Sequence, residues 1–169
     1  MSFPGIPSLD AAVMAFIQTH FHNTVTDTVF PIITSLGEAG IGWIVLSLVL
    51  LCFKKTRRTG GLVLIAMTVT LLFGELTLKN IICRLRPCNV FTDFPMLIAR
   101  PTSYSFPSGH TSSSFAAALI LTLRHKKVGW LAYIPAVLIA FSRIFLFVHY
   151  PTDVLAGILL GTLAALLTY

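Results

Sequence analysis

Long stretches of almost unbroken apolar residues organise the chain: Leu36 to Phe53, Gly61 to about Cys83, Ser108 to Leu123, Val128 to Val148 and Asp153 to Thr168. Each approaches the roughly 20 residues that an α-helix needs to cross a bilayer's hydrocarbon core. The pattern therefore predicts five spanning helices. The segment before them differs, because Asp10, Gln18, His20, His22, Asn23 and Asp27 interrupt its apolar positions and Pro31 breaks its helical pattern. Residues 1–35 read as amphipathic helices, which either lie in the membrane interface or pack on the others as a sixth, imperfect span. The expected fold class is all-α, an integral membrane helical bundle, with a single domain over residues 1–169 and its core bundle over 36–169.

Composition strengthens that expectation. Hydrophobic residues make up 56% of the chain and charged residues 11%, and the mean hydropathy is +0.87, well outside the range of soluble domains. No repeat of 20 to 50 residues and no low-complexity segment divides the chain. The first residues lack a basic region followed by an apolar core, so a cleaved signal peptide is not expected. The net charge of +6 would suit a nucleic-acid partner, but its distribution argues against one. Lys54, Lys55, Arg57 and Arg58 fill one inter-span loop, and Arg124, Lys126 and Lys127 fill another. By the positive-inside rule both loops face the cytoplasm, which places Arg86, Pro107 and Val148 at the outer ends of their spans.

The remaining ionisable groups collect at those outer ends. A charged side chain deep in a bilayer costs about 2.5–3.5 kcal/mol even on lenient insertion scales. One lysine or arginine at a span end ordinarily snorkels to the headgroups, but complementary groups meeting at one face indicate an anion site. Lys79 and Arg86 are seven residues apart, which on one helix would put them on nearly one stripe, about 10 Å apart, before Pro87 ends the helix. Glu75, one turn earlier, is expected to pair with Lys79, while Arg84 and Arg100 border the same region as headgroup contacts. Pro107-Ser108-Gly109-His110 precedes an apolar run and reads as a helix start, where free N–H groups bind phosphate. Gly109 lets backbone approach an anion, and the Ser108 hydroxyl and His110 are placed to touch it. Ser112 to Ser114 read as small helix-packing residues. Arg143 lies two turns below His149, and Asp153 follows in the first turn of a helix that Pro151 opens. A carboxylate behind an imidazole suits a nucleophilic or basic histidine.

Taken together, Lys79 with six intervening residues and Arg86-Pro87, then Pro107 to His110, then Ser142-Arg143 with His149 and Asp153 resemble the three-part signature of the type-2 phosphatidic acid phosphatase superfamily. The resemblance implies that His149 attacks phosphorus to form a phosphohistidine, oriented by Asp153, and that His110 protonates the leaving oxygen. Lys79, Arg86, Ser108, Gly109 and Arg143 would bind the phosphoryl oxygens. It implies no metal and no cofactor, and the fixed cations independently disfavour a divalent ion.

Short bacterial members of this family with an outward-facing site often act on undecaprenyl pyrophosphate, which becomes the expected substrate, with the bilayer holding its tail. Phosphatidate and phosphatidylglycerol phosphate are the runners-up. A phosphotransferase or a non-catalytic lipid-binding protein would share the anion site, although binding alone needs neither a nucleophile nor a proton donor. The aromatic loop from Cys88 to Phe106 is expected at the interface, as anchor or entry path. Cys52 is expected to be buried in packing, and Gly157 and Gly161 to pack helices within the bundle.

Overall fold

The computed structural model describes residues 3–169, which fold into an all-α bundle. In chain order the helices are α1 (Ser8–His20), α2 (Thr24–Leu36), α3 (Ile41–Leu51), α4 (Arg57–Thr70) and α5 (Lys79–Ile82), with a π-helical segment, Leu71–Leu78, joining the last two. They continue as α6 (Pro87–Val90), α7 (Gly109–Arg124), α8 (Tyr133–Phe145) and α9 (Pro151–Thr168). The expected N-terminal pair is present. Asn23 starts α2 by accepting hydrogen bonds from the backbone N–H groups of Val25 and Thr26 at 3.0 and 3.1 Å. Pro31 does not end α2 as its sequence position suggested; Phe30 beside it packs on Phe141 and Phe145 of α8 with ring centroids 5.2 and 4.5 Å apart, holding the helix in place.

Among the described residues, two stretches are long and apolar enough to cross a membrane, Arg57–Val90 and Pro151–Thr168, with a third if α2 and Glu38–Leu51 form one span across their 44° bend. Helix α7, with 16 residues, is as long as the stretch expected from Ser108 to Leu123. Helix α8 is shorter than the expected Val128 to Val148: a 3-10 turn, Gly129–Ala132, precedes it, and it ends at Phe145 because the chain turns there, with Phe147 at φ 60°. The start of α7 and the end of α8 border the polar cluster described below.

Helix α7 is the bundle's axis, with Thr111 to Ala118 buried on its successive faces. Close approach requires small residues. A Cβ on Gly161 would stand 2.3 Å from the Ser112 carbonyl oxygen, and one on Gly157 would stand 2.7 Å from that of Ser108. The paired glycines therefore seat α9 on α7, as expected. Ser112, Ser113 and Ser114 are buried packing residues, and Ser114 Oγ accepts from Trp43 Nε1 at 2.9 Å. Outward faces carry large exposed apolar side chains, among them Val45, Ile65, Phe73, Val137, Leu159 and Leu163, the surface that lipid tails cover. Cys52 is exposed at the end of α3 instead of buried, because that helix stops beside the basic loop.

The two basic loops share one end of the bundle, where Thr59 and His125 lie 3.1 Å apart. The start of α7 is at the other end, about 24 Å away at 1.5 Å per residue over its 16 residues.

Candidate active site

Lys79 and Arg86 do not share one helical stripe. Cys83 adopts φ 50° and ends α5, and Arg86 is extended ahead of Pro87, which opens α6. A residue before proline is pushed out of the helical region, and proline suits the first helical position. The break turns the Arg86 side chain into the bundle. Its Nη1 donates to His149 Nε2 and to the Val148 carbonyl, both at 2.9 Å. Nε donates to the Ser103 carbonyl at 2.7 Å and Nη2 to Ser103 Oγ at 3.0 Å. Four bonds fix a guanidinium that is 3% exposed.

A guanidinium only donates, so His149 Nε2 accepts and the neutral ring carries its proton on Nδ1. His149 lies in the connector between α8 and α9 and is buried. Burial, followed by the charges of Arg86, Arg143 and Lys79, holds its pKa well below the ordinary imidazole value. The ring is therefore neutral near pH 7, with its unprotonated nitrogen facing cations. Nδ1 lies 3.5 Å from Asp153 Oδ2, without a hydrogen-bond partner. The connector is bent by Phe147, a bulky residue in the left-handed region. Its ring stacks on Phe94 at 3.9 Å and packs against Phe91 at 6.2 Å, so the aromatic loop after α6 covers the connector.

Asp153 is fully buried in the first turn of α9, opened by Pro151 as the sequence suggested. Its Oδ2 accepts from Tyr150 N at 2.8 Å and from Ser105 Oγ, while Oδ1 accepts from Arg84 Nη1 at 2.6 Å. Arg84 is thus not a headgroup contact. It lies over the Tyr150 ring at 3.8 Å and also pairs with Asp10 at 2.7 Å. The extended approach to Pro87 aims Arg84 inward. Arg100, exposed, donates to the carbonyls of Cys88, Thr92 and Phe94 and so closes the loop after α6.

Lys79 pairs with Glu75 at 2.8 Å, as expected for that spacing. Glu75 lies in the π-helical segment, and its Oε1 occupies the place a Cβ on Gly109 would take, 2.0 Å from it. Ser108 precedes α7 with its side chain buried, and its Oγ accepts from Thr111 Oγ1 at 2.9 Å. Its N–H donates to the Asp153 carbonyl at 3.1 Å, which ties the second motif to the third. Arg143 is 4% exposed; Nη1 donates to Thr34 Oγ1, and Nε has no protein partner. Among the described residues no carboxylate lies within ion-pair distance of Arg143. His110, in the first turn of α7, lies in the field of Arg143, His149, Lys79 and Arg86. All eight residues singled out from sequence therefore border one region. No set of three or more His, Cys, Asp or Glu converges as metal ligands among the described residues.

Sequence reasoning missed the support. Asp10, Thr34, Ser103 and Ser105 bond directly to Arg84, Arg143, Arg86 and Asp153. Only Asp10 carried a signal, as a carboxylate within an apolar helical pattern, and it read simply as an interruption.

The PAP2 superfamily profile matches residues 59–169, which include every one of the eight. The chain belongs to the PAP2 superfamily. It is 40% identical over 121 residues to an undecaprenyl-diphosphatase of Sulfolobus acidocaldarius, a match covering 71% of this chain and 58% of that relative. It is 35% identical over 135 residues to a decaprenylphosphoryl-5-phosphoribose phosphatase of Mycobacterium tuberculosis, covering 76% of this chain and 71% of the relative. Among solved structures, a transmembrane PAP2-type phosphatidylglycerolphosphate phosphatase from Bacillus subtilis superposes with a TM-score of 0.76 at 30% identity, covering 98% of this chain and 85% of that one. This PAP2 chain is an integral membrane protein with apolar helices.

Proposed function

We propose that this PAP2 protein is a metal-independent lipid phosphatase that hydrolyses undecaprenyl pyrophosphate to undecaprenyl phosphate through a phosphohistidine on His149. The observation that carries the reading is the Arg86 Nη1 to His149 Nε2 bond at 2.9 Å. It marks Nε2 as the unprotonated nitrogen and puts it where a phosphoryl group held by cations would sit.

In the proposed reaction Arg86 Nη1 moves from Nε2 to a phosphoryl oxygen, and the Nε2 lone pair forms the N–P bond as the P–O bond to the leaving group breaks. His110 gives its proton to the departing oxygen. Lys79, Arg86, Arg143, the Ser108 hydroxyl and the Gly109 N–H hold the equatorial oxygens, where negative charge must be stabilised in the transition state. Asp153 supports the positive charge that develops on the His149 ring. Water then attacks phosphorus, returns its proton to His110 and releases inorganic phosphate and neutral His149. The Ser108 hydroxyl, bonded from Thr111 in the free protein, is available as a donor in this arrangement.

A five-span bundle with the α1–α2 pair packed beside it is the proposed membrane arrangement over one domain. Lys54, Lys55, Arg57, Arg58, Arg124, Lys126 and Lys127 at one end favour the cytoplasm for that end and an extracytoplasmic site at the other. The substrate tail stays in the bilayer beside the exposed apolar faces. The 40% identity to an undecaprenyl-diphosphatase supports the diphosphate reading. The Bacillus subtilis structure supports phosphatidylglycerol phosphate as a second one. Phosphate release by purified protein in EDTA, compared across undecaprenyl pyrophosphate, phosphatidylglycerol phosphate and phosphatidate, tests both. The diphosphate should be cleaved fastest; release only in the presence of added divalent metal, or from none of them, overturns the proposal.

A further inference from the structure

We infer that Asp10, on the N-terminal helix, is a positioning residue for this reaction, holding Arg84 so that the Asp153 carboxylate keeps its place behind His149. The inference rests on the proposed histidine mechanism. Asp10 is fully buried in α1, outside residues 59–169 that the family profile matches. Its Oδ1 accepts from Thr152 N at 2.9 Å, and its Oδ2 accepts from Thr152 Oγ1 and from Arg84 Nη2, both at 2.7 Å. Arg84 Nη1 reaches Asp153 Oδ1 at 2.6 Å and Thr152 Oγ1 at 2.7 Å. One guanidinium therefore bridges two buried carboxylates.

The charge count gives the bridge its consequence. Arg84 with Asp153 alone would be a neutral pair, offering little field to an imidazole that becomes positive as the N–P bond forms. Asp10 adds a second negative charge, so the group behind His149 is net negative while Lys79, Arg86 and Arg143 crowd its other side. Bonds from Ser105 Oγ and Tyr150 N hold Asp153 Oδ2 at the same time. Burying a lone carboxylate is costly, and breaking a buried pair is strongly destabilising, so a charge placed here has consequences beyond docking α1 onto α9.

Asp10→Asn tests this, because it keeps the shape and an oxygen acceptor for Thr152 while removing the charge. Met14→Ala serves as the control, since Met14 is a buried core residue one turn further along the same helix and takes no part in the bridge's hydrogen bonds. The measurements are kcat and KM on undecaprenyl pyrophosphate, the melting temperature, and affinities for vanadate and inorganic phosphate. The expected result is a kcat lower by about 10- to 100-fold, the scale for removing support from behind a reactive group, with KM unchanged. Vanadate, to which Nε2 would bond as it does to phosphorus in the proposed reaction, should weaken by about tenfold while phosphate affinity stays within twofold. Met14→Ala should lower the melting temperature and spare both ratios. An Asp10→Asn protein within twofold of the parent in kcat and in vanadate affinity overturns the inference, as does a loss that Met14→Ala reproduces. If the parent cleaves none of the lipids, the phosphatase reading fails, and the vanadate-to-phosphate comparison still decides the role of Asp10.

Discussion

Replacing Arg143 by methionine should make the free protein more stable and far less active. Arg143 is 4% exposed, its Nε has no protein partner, and its one side-chain bond goes to Thr34 Oγ1. Even well-paired buried ions are often no better than apolar residues of similar volume, which can be more stable by about 1–4 kcal/mol. Losing the Thr34 bond removes about 1 kcal/mol of that gain, and methionine fills much of the space. A net gain of up to about 3 kcal/mol would raise the melting temperature by up to about 12 °C for a chain of this length. Transition-state binding moves the other way, because loss of one preorganised donor to a developing oxyanion costs about 10²–10³ in kcat. The assay pairs thermal unfolding in detergent, with and without vanadate, with phosphate release. Vanadate should stabilise the parent and stabilise Arg143→Met much less. A melting temperature several degrees below the parent's in the ligand-free variant would refute the reasoning, since it would mean that Arg143 is satisfied in the free protein instead of held for a phosphoryl group.

Other consequences are equally direct. Glu75→Gln removes the carboxylate lying on Lys79 and against Gly109; it should tighten vanadate by a factor of about 5, worth about 1 kcal/mol, measured by calorimetry at low ionic strength, and unchanged affinity would count against Glu75 as a resident anion. His149 should remain neutral and protonated on Nδ1 as pH falls through 6.5, because burial and the neighbouring arginines depress its pKa. Nitrogen-15 imidazole spectra, assigned against His149→Gln, would contradict this by showing a His149 midpoint near the free-imidazole value of about 6.5. Gly161→Ala should cost about 1–3 kcal/mol, read as a lower melting temperature, because its Cβ would stand 2.3 Å from the backbone oxygen of Ser112.

Fold class and the residues bordering the site were legible because membrane burial leaves few reasons for a polar residue. Lys79, Arg86, His110, Arg143, His149 and Asp153 stood out against apolar neighbours, and independent loop charges brought their helix ends to one face. Local backbone was less legible. The break at Cys83 depends on a non-glycine residue taking φ 50°, and the π-helical segment bearing Glu75 leaves no periodic trace in eight apolar-rich residues. Span lengths misled for a related reason: Leu146 to Val148 are as apolar as α8, yet they form the turn that delivers His149. Arg84 illustrates a further limit. Its inward role depends on Asp10, 74 positions away, and spacing carries no information about a pairing so remote.

The proposed reaction turns on a bond between His149 Nε2 and phosphorus. Mixing purified protein with undecaprenyl pyrophosphate in EDTA, quenching within milliseconds in alkali, where phosphohistidine survives, and mapping the adduct by mass spectrometry tests it directly. The expected result is phosphate on His149, formed fast enough to precede product and absent from His149→Gln. Rapid phosphate release with no adduct on His149, or release undiminished in His149→Gln, would contradict it.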